Sequence, residues 1–219
     1  MYFINRASLG ASLSERLPEL RGKEAIIVCL KESALLTCIH MATKLRAWIF
    51  PLLYQPIQNP ANEAQVLGAI TQDGEFCINP AVEPAQFDYI QSEFFGVIED
   101  RKRSAMQLLN QMTSGYGVSM DKHVMNGRPV LLTSDILTNR LELAIAKQLL
   151  RPLTPSIVYG VAGNTTIDVS DMFHLETQIT QIMDILPSPL GDDHYFEQPD
   201  DYTAEQKRAL ALNISTYWT

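Results

Sequence analysis

The stretch Gly127-Arg128-Pro129-Val130-Leu131-Leu132-Thr133-Ser134-Asp135-Ile136-Leu137-Thr138-Asn139-Arg140 decides how this chain is read. Gly127 and Pro129 punctuate the chain ahead of Val130–Thr133, a short continuous apolar run of the kind that marks a strand buried on both faces. Leu141, Ala144, Ile145 and Leu149 then fall in helical register, which predicts a helix over 140–150. The segment 133–141 between them reads as the loop leading out of the strand. Strand, loop and helix together form the unit from which parallel sheets are built.

The same unit recurs on both sides. Ala25–Leu30 is a second buried run, and Leu35, Leu36, Ile39, Ala42 and Leu45 place a helix after it. Trp48–Leu53 reads as the next strand, with Pro51 favouring an edge position. Ser156–Val161 and Gln181–Leu186 are further strands. An opening helix is predicted over 6–17 from Leu9, Leu13 and their spacing. Gln55–Ala64, with two prolines and two asparagines, reads as a loop. Val66–Thr71 and Glu75–Ile78 form a predicted hairpin around Asp73-Gly74. Residues 87–112 are a long helical stretch, followed by a Gly/Ser/Tyr loop at Ser114-Gly115-Tyr116-Gly117. From Pro187 the chain is acidic and irregular up to a terminal helix over 203–212. The expected fold is therefore α/β: a mostly parallel central sheet with helices on both faces, in a single domain over 1–219. It carries the helical insertion 87–112 and a small irregular tail over 187–219.

Composition narrows the function. The chain has 219 residues, 46% hydrophobic, with 17 Lys+Arg against 25 Asp+Glu and a formal net charge of −8. That is ample for a packed core, and disorder is not expected. The acidic balance argues against nucleic-acid and anionic-membrane partners. No run approaches the roughly 20 apolar residues of a membrane span. Met1–Arg6 lacks the basic and apolar regions of a signal peptide. Cys29, Cys38 and Cys77 are odd in number and form no CxxC pair, so they read as reduced thiols in a cytoplasm.

In such sheets ligands bind at the carboxyl ends of the strands, so the loops Leu30–Leu35 and Thr133–Leu141 carry the chemistry. Taken alone, Asp135 is a solvated turn residue, Asn139 a helix cap with Glu142 completing a capping box, and Lys31-Glu32 a polar loop. Cys38 and His40 stand two apart on a helix and do not share a face, so they suggest no metal. Asp192-Asp193-His194 reads as an acidic loop before it reads as a cation site. Ser33 and Ser134 lack a recognisable base partner. Arg101-Lys102-Arg103 reads as one charged helix face. Tyr195, Phe196, Tyr202, Tyr217 and Trp218 mark a segment that docks on its own body or on a second subunit, and a homo-oligomer is expected.

Several short landmarks occur in a recognisable order. They are Phe3-Ile4-Asn5-Arg6 with Gly10, Asn59-Pro60-Ala61-Asn62-Glu63 with Gly68-Ala69-Ile70, and Gly127-Arg128-Pro129-Val130-Leu131-Leu132. In these the chain resembles the predicted phosphoribosyltransferases of the type I fold, over about residues 3–210. The resemblance implies a transferase using phosphoribosyl pyrophosphate with magnesium. It places the pyrophosphate loop at Lys31, Glu32, Ser33 and Ala34. It places the ribose and 5′-phosphate loop at Ser134, Asp135, Thr138, Asn139 and Arg140, with Asp135 as the catalytic acid.

The chain departs from that family at the residues that hold phosphate. Ser134 stands for the first of two acids, Ile136 for a glycine and Asn139-Arg140 for a Thr-Gly pair. Lys31-Glu32-Ser33-Ala34 stands where the family has Pro-Arg-Gly-Gly, and Leu52-Leu53-Tyr54-Gln55 offers no Arg-Lys pair. A stiff, β-branched Ile136 does not let the backbone approach an anion as glycine does. Each lost charge-assisted contact is worth about 1.5–3 kcal/mol. The expectation is a phosphoribosyltransferase-like protein of impaired catalysis, serving as a binding, regulatory or assembly module. It has no metal site and no cofactor of its own, and a phosphorylated small molecule as ligand. The alternatives are an active transferase, with magnesium, gripping its substrate through Asp135, Lys31 and Arg140, and a binder of some other nucleotide or small anion in the same crevice.

Overall fold

The computed structural model describes residues 1–115, 121–198, 200 and 202–216. Its elements in chain order are α1 (Arg6–Glu15), β1 (Ile26–Cys29), α2 (Leu35–Leu45), β2 (Trp48–Pro51), β3 (Tyr54–Asn59), β4 (Asn62–Thr71) and β5 (Phe76–Ile78). They continue with α3 (Pro84–Glu93), α4 (Phe95–Gly115), β6 (Pro129–Leu137), α5 (Arg140–Leu150), β7 (Ile157–Thr166), α6 (Ile167–Glu176), β8 (Ile179–Leu186) and α7 (Ala204–Thr216). Two compact units result. One is Met1–Leu52 with Met120–Asn139 and Leu149–Thr219, and the other is Leu53–Ser119 with Arg140–Gln148.

The first unit holds a five-stranded parallel sheet in the order β2-β1-β6-β7-β8. The apolar runs make its centre, and all four residues of β1 are buried. Side chains of one face, among them Ile27, Leu131, Tyr159 and Val161, join a core with Leu9 and Leu13 of α1 and Leu35, Ile39 and Ala42 of α2. The opposite face meets α6: a Cβ placed on Gly160 would stand 2.4 Å from the Phe173 ring. The expected α/β fold, helices on both faces of a parallel sheet, is what forms. β2 lies at the sheet edge, as Pro51 requires.

The second unit holds an antiparallel sheet, β3-β4-β5, with α3 and α4. Gln55–Ala64 is not a loop, contrary to its polar reading. Tyr54–Asn59 and Asn62–Thr71 pair as a hairpin that turns at Pro60-Ala61. Pro56 and the glutamines are tolerated because β3 is an edge strand, with Pro56 exposed and Gln55 and Gln58 half-buried. The β4–β5 hairpin around Asp73-Gly74 forms as expected. The helical stretch 87–112 is two helices, broken at Phe94. Tyr116, Gly117, Tyr217 and Trp218 lie outside the described residues.

The largest departure from the sequence expectation lies in the segment 133–141. β6 does not end at Thr133. It runs through Leu137, with Ser134 paired to Ala162, Ile136 to Asn164 and Leu137 to Thr165 of β7. Ile136 favours extended backbone, and no glycine in this segment releases the chain into a turn. The connection to α5 is reduced to Thr138-Asn139.

Among the described residues no helix is long and apolar enough to cross a membrane. All three cysteines are free and buried. Burial pushes the Cys77 thiol up to about 11, and burial beside Cys29 pushes Cys38 well up. Thiolate is the reactive form, so native protein is expected to resist a disulfide-exchange reagent at mildly alkaline pH. Denaturant should release all three thiols for labelling. Rapid labelling of even one thiol in the native protein would contradict this packing.

Candidate functional site

In this sheet β1 is followed in sequence by β2 on one side, while β6 pairs with β1 on the other. The strand order therefore reverses between β1 and β6, and the crevice beyond their carboxyl ends is the topological place for a ligand. The loop from Leu30 to Ala34 and the end of β6 border it.

Asn5 and Arg6 enter from the start of α1. The Asn5 side chain accepts from the Ser8 N–H at 2.8 Å and the Ser8 hydroxyl accepts from the Asn5 N–H at 3.2 Å, a capping box that fixes the first turn. That fixes Arg6, the first helical residue, which is only 4% exposed. Among the described residues its guanidinium makes three ion pairs. Nε donates to Asp135 Oδ2 at 2.7 Å, Nη2 to Asp193 Oδ1 at 2.8 Å and Nη1 to Asp200 Oδ2 at 2.8 Å. The same group lies 4.4 Å from the centre of the Phe196 ring. Burial works against its charge, but Asp135 and Asp193 outweigh this and raise its pKa above the ordinary value.

Asp135 is fully buried. Its other oxygen, Oδ1, accepts from the Ile136 N–H at 2.7 Å. Burial pushes its carboxyl above the usual range, while Arg6 and the Ile136 N–H pull the other way. Both oxygens thus face partners within the protein and neither faces solvent. Ser134 is equally buried, and its hydroxyl donates to the Ile136 carbonyl at 3.2 Å. Thr138 and Asn139 are half-buried in the short link, and Arg140 is exposed at the start of α5. Within the second unit Glu142 is buried and accepts from the Tyr54 hydroxyl at 3.1 Å.

The β1 loop is engaged as well. Lys31 Nζ lies 3.3 Å from Asp192 Oδ2, and the Ser33 hydroxyl donates to the same oxygen at 3.3 Å. Glu32 Oε1 accepts from Arg208 of α7 through Nε at 2.8 Å and Nη2 at 2.6 Å. Ala34 is buried at the N-cap of α2. The structure therefore brings together Lys31, Ser33 and Asp135 around the crevice, but each is joined to another side chain of the same unit.

Sequence reasoning missed the partners. Arg6 was visible only as part of a landmark, and the acidic tail only as a solvated loop. A signal existed in the combination: one arginine on the apolar Leu9–Leu13 face of an opening helix, and an excess of aspartates near the end of the chain. Asp192, Asp193 and His194 do not gather on a cation. Asp192 turns to Lys31, Asp193 to Arg6 and His194 to the Tyr2 hydroxyl at 2.8 Å. Among the described residues no group of three or more His, Cys, Asp or Glu side chains is placed to hold a metal. With Asp135 held by Arg6, the residues at this crevice do not fit a magnesium ion.

The fold has a counterpart in TT1426 from Thermus thermophilus, with a TM-score of 0.75 and 18% identity over 98% of this chain and 100% of that one. At that identity the likeness is one of fold alone. Two others superpose too poorly to argue from. A hypoxanthine phosphoribosyltransferase of Staphylococcus aureus has a TM-score of 0.42 and 11% identity, over 86% of this chain and 78% of that one. A hypothetical protein of Neisseria gonorrhoeae with bound ppGpp has a TM-score of 0.38 and 12% identity, over 74% and 68%. No family model and no curated protein matches the chain.

Proposed function

We propose that this chain is a phosphoribosyltransferase-like protein that keeps the fold without the transfer reaction and serves as a binding, regulatory or assembly module. The observation that carries this reading is the state of Asp135. A carboxylate that is to hold ribose hydroxyls must face the crevice, whereas this one is buried against Arg6. Around it the chain that would wrap a 5′-phosphate is strand, and its Ser134–Leu137 backbone lies in the ladder with β7. A phosphate needs several convergent amides or a helix N-terminus. The Ile136 N–H, for one, is already taken by the Asp135 carboxylate.

Calorimetry with phosphoribosyl pyrophosphate and magnesium tests this. Binding no tighter than about 1 mM is expected, which corresponds to at most about 4 kcal/mol of binding energy. Micromolar binding that Asp135→Asn abolishes would overturn the reading. It would favour in its place an active transferase with a noncanonical site.

A further inference from the structure

We infer that Asp192 is an internal anionic ligand: its carboxylate fills, within the same chain, a seat that Lys31 and Ser33 form for a phosphate-class oxyanion, and so keeps free oxyanions out. This rests on the closed-site reading above and names how that site is kept closed.

Two donors of different chemistry converge on one oxygen. Lys31 Nζ and the Ser33 hydroxyl each stand 3.3 Å from Asp192 Oδ2, and Lys31 Nζ stands 3.5 Å from Oδ1. An ammonium and a hydroxyl aimed at one point are what a phosphate oxygen takes. Both distances exceed the 2.7–2.8 Å of the three Arg6 contacts nearby. The carboxylate therefore sits loosely, whereas Arg6 is tightly bound. The seat is also reachable: Asp192 is 32% and Lys31 14% exposed, against 4% and 0% for Arg6 and Asp135.

The surroundings favour an anion at this point. Ser33 stands just before the first turn of α2, whose positive end attracts negative charge. Of the carboxylates that would repel one, Glu32 is engaged by Arg208, and Asp135, whose charge also acts on Asp192, is paired with Arg6. What blocks the seat is the tail.

The tail is anchored, so Asp192 competes from a fixed position. The Phe3 N–H donates to the Tyr195 carbonyl at 2.8 Å, and the Glu197 N–H donates to the Phe3 carbonyl at 2.9 Å. Tyr195 and Phe196 are buried, and Phe196 lies beside Phe3. A tethered carboxylate acts at a high effective concentration, of roughly millimolar order for short tethers. Only the Asp192 side chain has to swing aside for an oxyanion to enter, and the tail stays in place.

The experiment is a titration of full-length protein with inorganic pyrophosphate, read by calorimetry, with thermal melting to confirm that each variant is folded. Asp192→Asn removes the charge and keeps the shape. It is expected to bind pyrophosphate at least about tenfold more tightly than the wild type, a change of about 1.4 kcal/mol. Asp192→Ser serves as a second variant with the same expectation. The gain should vanish in Asp192→Asn/Lys31→Gln. Glu197→Gln, which removes one exposed charge from the same segment, should leave affinity unchanged. The inference is overturned if neither Asp192 variant gains affinity, if Glu197→Gln gains as much, or if the gain survives without Lys31. Tight binding of phosphoribosyl pyrophosphate by the wild type would instead overturn the closed-site reading, so the two failures are distinguishable.

Discussion

Replacing Arg6 with alanine is expected to destabilise the protein by about 3–5 kcal/mol, measured as the loss in unfolding free energy in urea. Arg6 is shared by Asp135, Asp193 and Asp200. Removing it strands Asp135, which is fully buried, while Asp193 turns to water and Asp200 keeps Lys207 at 2.8 Å. The penalty comes chiefly from one uncompensated buried carboxylate. Arg6→Lys should recover little, because an ammonium does not present three donors in the guanidinium's planar fork. Arg6→Met combined with Asp135→Leu should be clearly more stable than Arg6→Ala, since an apolar pair leaves no buried charge behind.

The pH dependence of this deficit has a definite sign. Without Arg6 the folded-state pKa of Asp135 lies still further above its unfolded value, because burial pushes it up and the opposing guanidinium is gone. A folded state with a raised carboxyl pKa holds its proton more tightly than the unfolded chain. Its stability is fullest below the unfolded pKa and falls as pH rises towards the folded one. The Arg6→Ala deficit should therefore shrink on acidification and widen towards neutral pH. A deficit independent of pH would mean that Asp135 is not the group left stranded.

Gly10→Ala is expected to cost about 1–3 kcal/mol through overpacking, although alanine at an ordinary helix position gains about 1 kcal/mol over glycine. Gly10 lies on the buried face of α1, where the helix crosses α2. A Cβ there would stand 2.6 Å from the Thr37 carbonyl oxygen and 2.9 Å from the His40 Cβ. The first of these is backbone, so relief requires the two helices to part. Gly96 of α4 supplies the opposite case. Among the described residues nothing lies within 4 Å of its would-be Cβ, and Gly96→Ala should stabilise by up to about 1 kcal/mol. Equal effects at the two glycines would show that helix contact does not set the requirement at Gly10.

Periodicity read much of the fold correctly because it is local. The continuous apolar runs at Ile26–Cys29 and Ile157–Val161 are strands buried on both faces, and the leucines of α1 and α2 face one core. The end of β6 was not legible, since it depends on what pairs with it. Ser134, Asp135 and Thr138 have the composition of a turn, and the long partner β7, reaching Thr166, reinforces the preference of Ile136 and keeps the chain extended through Leu137. β3 was missed for a related reason. Gln55, Pro56 and Gln58 carry no alternation of their own and become strand by pairing with β4.

By itself, then, the sequence determined the parallel α/β architecture, the crevice between the ends of its first and third parallel strands, and the absence of glycine from the two loops, 30–35 and 133–141, that border it. Only the tertiary structure decided what the remaining charges do. Arg6 finds its carboxylates 129, 187 and 194 residues away, and Lys31 finds its own 161 residues away. Helical and strand patterning arises between near neighbours along the chain, whereas ion pairing depends on separation in space and on shielding from water. Folding therefore fixed which acid meets which base, and turned an apparently solvated acidic tail into the partner of the site's cations.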